Sequence, residues 1–258
     1  MPIKFTLMGC GSSFGVPRAD GNWGNCNPNE KKNYRTRCSA MVSTVNMNIL
    51  FDTSPDLRSQ LLRENVKNID KVFISHEHGD QTHGINDLRI FYLKNKKKID
   101  IFTSSKTKNY LKKNFSYCFK SSKSYPAILE FKKLKKIITF NGNNKNKIFI
   151  RPINVEHGRI NCLAFIINNK CVYASDVSKF HTKDLKYLIN LKYLVIDCLR
   201  FAPHPSHFNL DQALNLIKKL KPKKAILTNM HSDLDYNYLL KILPKNVKPA
   251  YDGLSFNI

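Results

Sequence analysis

The segment Ser75-His76-Glu77-His78-Gly79-Asp80 sets two imidazoles and a carboxylate at alternate positions. It closes an apolar, β-forming run, Lys71–Ser75, so the chain is extended where the first of them falls. In extended chain, residues two apart point the same way, and His76, His78 and Asp80 can converge just past the strand end. Two imidazoles and a carboxylate suit zinc, manganese or iron. Gly79 gives the backbone freedom to turn. Taken alone, the triplet is equally compatible with polar loop residues.

Three later segments repeat the placement. Val155-Glu156-His157-Gly158 follows the run Ile148–Ile153, and Tyr173-Ala174-Ser175-Asp176 ends the run Cys171–Ala174. Asn229-Met230-His231 follows Ala225–Thr228. A carboxylate at a strand end is costly if buried unpaired, so Asp176 needs a partner. Loops from one edge of a layered sheet gather into a single crevice, where ligands bind. Six strand-terminal ligating groups, His76, His78, Asp80, His157, Asp176 and His231, therefore point to one or two divalent transition ions, zinc first, with manganese or iron as alternatives. His204 and His207 precede a helix and are compatible with a surface loop. Arg200 could grip a phosphate with its planar fork or serve a structural ion pair. Arg89, on an amphipathic helix, reads as solvated charge.

The elements that must position these groups are short strands and amphipathic helices. Further β-forming runs lie at Ile3–Met8, Ala40–Val45, Asn48–Phe51, Ile99–Thr103, Leu163–Ile167 and Tyr193–Ile196. Pro55 predicts a helix start, with Leu57, Leu61 and Leu62 on one face. Ile85, Leu88, Phe91 and Tyr92 mark a second helix, and Leu210 to Leu220 a third, with Asn209 as N-cap and Gln212 as its reciprocal partner. Asp235 opens a last helix, stopped by Pro244. Strands in consecutive groups, then alternating with helices, predict sheets covered by helices. The stretch Lys94 to Lys147 is ambiguous, and Asn141-Gly-Asn-Asn-Lys-Asn reads as an exposed turn.

The chain has 258 residues, 42% of them hydrophobic, enough to bury a core as one domain over 1–258. No apolar stretch is long enough to span a bilayer, and the N-terminus lacks the apolar core of a signal peptide. Seven cysteines without framework spacing fit a reducing compartment, so the cytoplasm is expected. The net charge of +24 favours a small anionic substrate. It permits nucleic acid without favouring it, because the lysine runs Lys94–Lys98, Lys132–Lys136 and Lys218–Lys224 fall mostly at element ends. A membrane partner is not expected, and a homodimer is left open.

The order His76-x-His78-x-Asp80, then His157, Asp176 and His231, resembles the ligand set of the metallo-β-lactamase fold hydrolases. The resemblance covers nearly the whole chain. It extends to Gly9-Cys-Gly-Ser-Ser-Phe-Gly-Val-Pro17, Arg37-Cys-Ser39, Asp52-Thr-Ser-Pro-Asp56 and Pro203-His-Pro-Ser-His207. It is strongest toward the phosphodiesterase branch that includes phosphoribosyl 1,2-cyclic phosphate phosphodiesterase and, further off, the tRNA 3′-processing endonuclease. The resemblance implies a four-layer αββα sandwich with a metal cleft at one edge. It implies a first site of His76, His78, His157 and Asp176, and a second of Asp80, Asp176 and His231. It gives His207 proton delivery or transition-state stabilisation. In the expected mechanism Asp80 helps position the water, and Arg200 and His204 are candidate substrate contacts.

Two departures qualify it. The family motif carries a His directly after the Asp, where this chain has Gln81, a weaker ligand that predicts a weakened second site. His83 does not substitute readily, because two helical positions turn a side chain about 200° away. The accessory zinc of related proteins needs clustered cysteines, and Cys10, Cys26 and Cys38 are too far apart for a knuckle. The expected activity is metal-dependent hydrolysis of a small cyclic or sugar phosphodiester. An RNA 3′-end endonuclease, a thioester hydrolase and a non-enzymatic metal-binding protein are the alternatives.

Overall fold

The structure is a computed structural model that describes residues 3–123, 125–141 and 147–258. One sheet contains β1 (Lys4–Gly9), β2 (Ser39–Thr44), β3 (Met47–Phe51), β4 (Lys71–Phe73), β5 (Ile99–Phe102) and β6 (Leu129–Phe131). The other contains β7 (Ile138–Asn141), β8 (Lys147–His157), β9 (Ile160–Ile167), β10 (Cys171–Ala174), β11 (Lys179–Phe180), β12 (Tyr193–Asp197), β13 (Lys224–Thr228) and β14 (Val247–Pro249). The last strand, β15 (Ser255–Asn257), returns to the first sheet beside β1.

The residue pattern dictates how these sheets stack. On β3, Ile49 and Phe51 face one apolar cluster while Leu50 faces another. On and just after β4, Phe73 faces the first cluster and Val72 and Ile74 the second. A strand with apolar groups on both faces must be covered on both. The inner cover is the second sheet: Phe165 of β9 lies 5.1 Å from Phe51 and 5.5 Å from Phe73, ring centre to ring centre. The outer cover consists of α1 (Leu57–Arg63), α2 (Gly79–Thr82), α3 (Arg89–Asn95), α4 (Ser105–Asn114) and α5 (Ser116–Phe119). Of these, α1, α3, α4 and α5 supply Leu57, Leu61, Phe91, Leu111 and Cys118 to the second cluster. Across the second sheet, α6 (Leu210–Leu220) buries Leu210, Ala213, Ile217 and Leu220, and α7 (Tyr236–Ile242) buries Leu239. The result is the four-layer αββα sandwich of the metallo-β-lactamase type.

Direction matters more than count. Strands β3 to β6 run parallel, as do β10, β12, β13 and β14, and helices make most of the crossovers. The carboxyl ends of each parallel set therefore share one edge. The sheets meet along it, where the Leu163 N–H of β9 donates to the Ser75 carbonyl at 3.1 Å.

The capping box on α6 forms as predicted, with Asn209 accepting from the Gln212 N–H and Gln212 accepting from the Asn209 N–H. Asp235 likewise caps α7. Several boundaries differ. Pro55 lies in a turn ahead of α1, whose N-cap is Asp56. The segment 85–95 divides into a 3-10 turn, Ile85–Leu88, and α3. Strand β8 runs on to His157, because antiparallel pairing with β9 continues to the His157–Ile160 pair. The turn expected at Asn141–Asn146 lies, apart from Asn141, outside the described residues.

Phe165→Ala tests the packing between the sheets. Its ring sits between those of Phe51 and Phe73, so truncation should cost about 3–5 kcal/mol of unfolding free energy, read by denaturant titration. A loss under about 1 kcal/mol, the size of an ordinary surface effect, would refute a close-packed interface there.

Candidate metal centre

Three histidines converge at the shared edge. His76 follows β4, His78 stands two residues on, and His157 ends β8. Their ring centres lie 4.5 Å (His76–His78), 5.0 Å (His76–His157) and 5.2 Å (His78–His157) apart. One ring nitrogen from each falls within 4.8 Å of the other two. Burial drives the His76 imidazole well below its usual pKa, and the neighbouring histidines add to that. Burial, then the facing His207 charge, lowers His157 to about 4. Both rings are therefore uncharged near neutrality, the form that ligates metal.

Buttressing bonds aim the rings. His157 Nδ1 donates to the Ser206 carbonyl at 2.8 Å, leaving Nε2 for the cluster. His76 Nδ1 lies 3.0 Å from Ser75 Oγ and 3.5 Å from Cys162 Sγ, while its Nε2 faces His78. The Ser75 N–H in turn donates to Asp52 Oδ1 at 2.7 Å. Asp52 is fully buried at the end of β3 with φ 64°, and desolvation raises it to about 7. Two imidazoles held in this way and a third, His78, against them, with carboxylates beside, fit the divalent ions that the fold implies.

The carboxylates cluster beside the imidazoles. Asp176 follows β10, almost fully buried, and desolvation, then the charge of Asp80, raises its pKa well above the usual range. Gln81 Nε2 donates to Asp176 at 3.1 Å and to Asp80 at 3.3 Å. A second compact group joins His157, Asp176 and His207. His207 Nδ1 donates to Asp197 Oδ2 at 2.6 Å, and Asp197 is fully buried at the end of β12. Burial alone would lower His207, but the Asp197 charge and hydrogen bond, reinforced by Asp176 and Asp80, lift it to about 9. Asn229 Nδ2 donates to Asp197 at 3.2 Å, tying the end of β13 into the same network.

These groups line a cleft of about 330 Å³ that includes His78, Asp80, His157, Asp176, His204, His207 and His231, with Ser12, Phe14 and Arg200 on its walls. A larger apolar groove between α1 and α3, about 730 Å³, contains none of them.

The sequence-derived candidates thus meet in one place, with distinctions. His231 is on the wall, its Nδ1 turned to Asp233 at 3.1 Å, outside both compact groups. His204 bonds Ser206 through Nδ1 and lies 5.1 Å from the His207 ring. Arg200 forms no ion pair among the described residues, and its Nε and Nη2 donate to the carbonyls of Ala202 and Pro203. His83 packs against Phe115 at 5.6 Å, away from the cleft. Gly79 does not adopt a left-handed turn, and a Cβ there would lie 2.5 Å from Nδ1 of the exposed His83 ring, which would have to move aside. Cys10, Cys26 and Cys38 are buried separately, and no compact ligand group among the described residues contains a cysteine. Asp52, Asp197 and Asn229 escaped the sequence reading of roles. Their signal was present, since each is a polar residue immediately after or at the end of a β-run.

A family model described as the beta-lactamase superfamily domain matches residues 47–230. The chain belongs to that superfamily. A solved diphosphatase of the PhnP family superposes with a TM-score of 0.90 at 28% identity, over 100% of this chain and 98% of its own. An octanoyltransferase of Porphyromonas gingivalis is 27% identical over 258 residues, 98% of this chain and 51% of that protein. A ribonuclease Z of Prochlorococcus marinus is 28% identical over 172 residues, 65% of this chain and 50% of that protein. The chain spans about half the length of these two curated relatives. Within this cleft the buried His207–Asp197 pair carries the clearest electrostatic signature.

Asp197→Asn keeps the hydrogen-bond geometry and removes the charge. In metal-free protein, the His207 ring should then titrate near or below 6.5 instead of about 9, as read by proton NMR. His207 is raised on folding, so the pair's stabilisation is complete below about pH 6.5 and is lost as pH rises through 9. An unchanged His207 titration would mean that Asp197 does not set it.

Proposed function

We propose that the chain is a metal-dependent phosphodiesterase acting on a small cyclic or sugar phosphodiester. The observation that carries this reading is the His76–His78–His157 imidazole cluster at one small cleft, beside a charged imidazole, His207, held by a buried carboxylate. His76, His78 and His157, with Asp176, would hold the ion, with zinc first among the candidates by its preference for imidazole. When bound there, a divalent ion supplies Lewis acidity toward a phosphoryl oxygen and makes an associated water more acidic.

The chain's own residues do the remainder. Asp80, its carboxylate lining the cleft, accepts a hydrogen bond from the attacking water and orients it. His207 stores a proton on Nε2, because Asp197 holds Nδ1 and keeps the ring charged. That proton passes to the departing alkoxide oxygen, which otherwise would leave with a full negative charge. Arg200 and His204 on the wall contact the substrate's anionic or hydroxyl groups. The cleft volume suits a small ligand better than a polymer. Buried, unpaired thiols at all seven cysteines suit a reducing cytoplasm. Among the described residues no helix is long and apolar enough to cross a membrane.

RNA 3′-end cleavage is the second reading, favoured by the ribonuclease Z relative and the net charge of +24. Octanoyl transfer belongs by name to a protein of which this chain matches about half. Here every cysteine thiol is buried, which gives no support to a thiol-based acyl transfer.

Protein carrying its ion should cleave bis(p-nitrophenyl) phosphate and leave the matching monoester nearly untouched, with activity lost to chelator and in His76→Ala and His157→Ala. Preference for a thioester would overturn the reading, and cleavage of precursor tRNA alone would favour the nuclease.

His207→Ala should lower kcat by about 10²–10⁴-fold with metal content unchanged, the usual contribution of a positioned proton donor. The loss should be greatest for alkyl leaving groups. If metal content falls along with activity, His207 is a ligand.

A further inference from the structure

We infer that this chain holds a single ion, on His76, His78 and His157 with Asp176, and that the Gln81 amide takes the place of a second cation between Asp80 and Asp176. The inference rests on the reading of the site as a metal centre and goes beyond a merely weakened second position.

Gln81 is fully buried on α2, and both its backbone ends are engaged. Its N–H donates to the His78 carbonyl at 3.1 Å, and its carbonyl accepts from the Thr53 N–H at 2.8 Å. So anchored, its side chain extends between two carboxylates. Nε2 bears two hydrogens, and Oδ2 atoms of Asp80 and Asp176 lie 3.3 and 3.1 Å away, one acceptor for each. The opposite amide orientation would set a carbonyl oxygen against two carboxylate oxygens, acceptor against acceptors. The chemistry of the neighbours therefore fixes which end faces them. Gln81 Oε1 is left buried without a partner, the residue of a choice made for the nitrogen.

Two acidic side chains buried close together are relieved by a proton on one of them, by positive charge or by donors between them. A cation is one solution and the Gln81 NH2 group is another. A ligand at position 81 would have to present a lone pair to the ion, whereas here the same space is filled by N–H bonds. The other group expected of a second position, His231, lies on the cleft wall but outside both compact ligand groups. Charge offset on the Asp176 side falls instead to His207, which lies within ligand distance of Asp176 but is held by Asp197.

The test is a metal count. Chelator-stripped protein is titrated with zinc chloride by calorimetry, then desalted and analysed for zinc. The natural chain should bind and retain one equivalent, and Gln81→His should retain two. Two retained equivalents in the natural chain, or one in a folded Gln81→His, overturns the inference. Cobalt(II) in the natural chain gives a reading independent of any variant. An uncoupled high-spin signal integrating to one ion per chain is expected, and a spin-coupled pair would overturn it. A protein with one ion and no diesterase activity sinks the proposed function alone. A two-ion protein that cleaves diesters sinks this inference alone, and a protein that binds no ion sinks both.

Discussion

Desolvation at the carboxyl edge of two abutting sheets is the constraint on which the site depends. Water withdrawn from His76 and His157 leaves them uncharged, and water withdrawn from Asp176 and Asp197 makes their negative charge costly. Each carboxylate is then tolerable only with a donor against it, and Gln81, Asn229 and His207 are those donors. One physical pressure thus produces both neutral ligands and a charged imidazole within a few ångströms. The difference between His157 and His207, whose rings are 4.6 Å apart, lies in their partners: a carbonyl for the first, a carboxylate for the second.

Much of this was legible in sequence because it is local. The alternate spacing of His76, His78 and Asp80 follows from extended geometry, and the Asn209–Gln212 box depends on residues three apart. The family resemblance supplied the layer order, which the family match and the sheet topology bear out. Less visible were features that depend on distant pairing. Strand β8 outruns its apolar core because β9 pairs with it through the polar stretch up to His157. Strands β6 and β7 are short and flanked by lysines, and only the neighbours they join make them strands. The role of Asp197 was not visible in sequence, since its partner is ten residues away across an irregular loop.

Gln81 illustrates the limit of substituting one residue type for another in a motif. Read as a ligand, it is a poor histidine. In place, it is a donor between two acceptors, a role that depends on Asp176, 95 residues later. The same holds for Gly79, whose near contact is the ring of His83 folding back over the backbone and which adopts no left-handed turn. In both cases the side chain's work is set by what faces it.

The bond from the Leu163 N–H to the Ser75 carbonyl joins the two sheets one residue before His76. His76 and His78 belong to the first sheet's edge, and His157, Asp176 and His231 to the second's, so neither half of the chain owns a complete binding site. A nascent or partly opened molecule offers an ion only scattered donors. The cleft exists for as long as the two halves stay docked, and any ion bound by His76, His78 and His157 would act as a clasp on the seam.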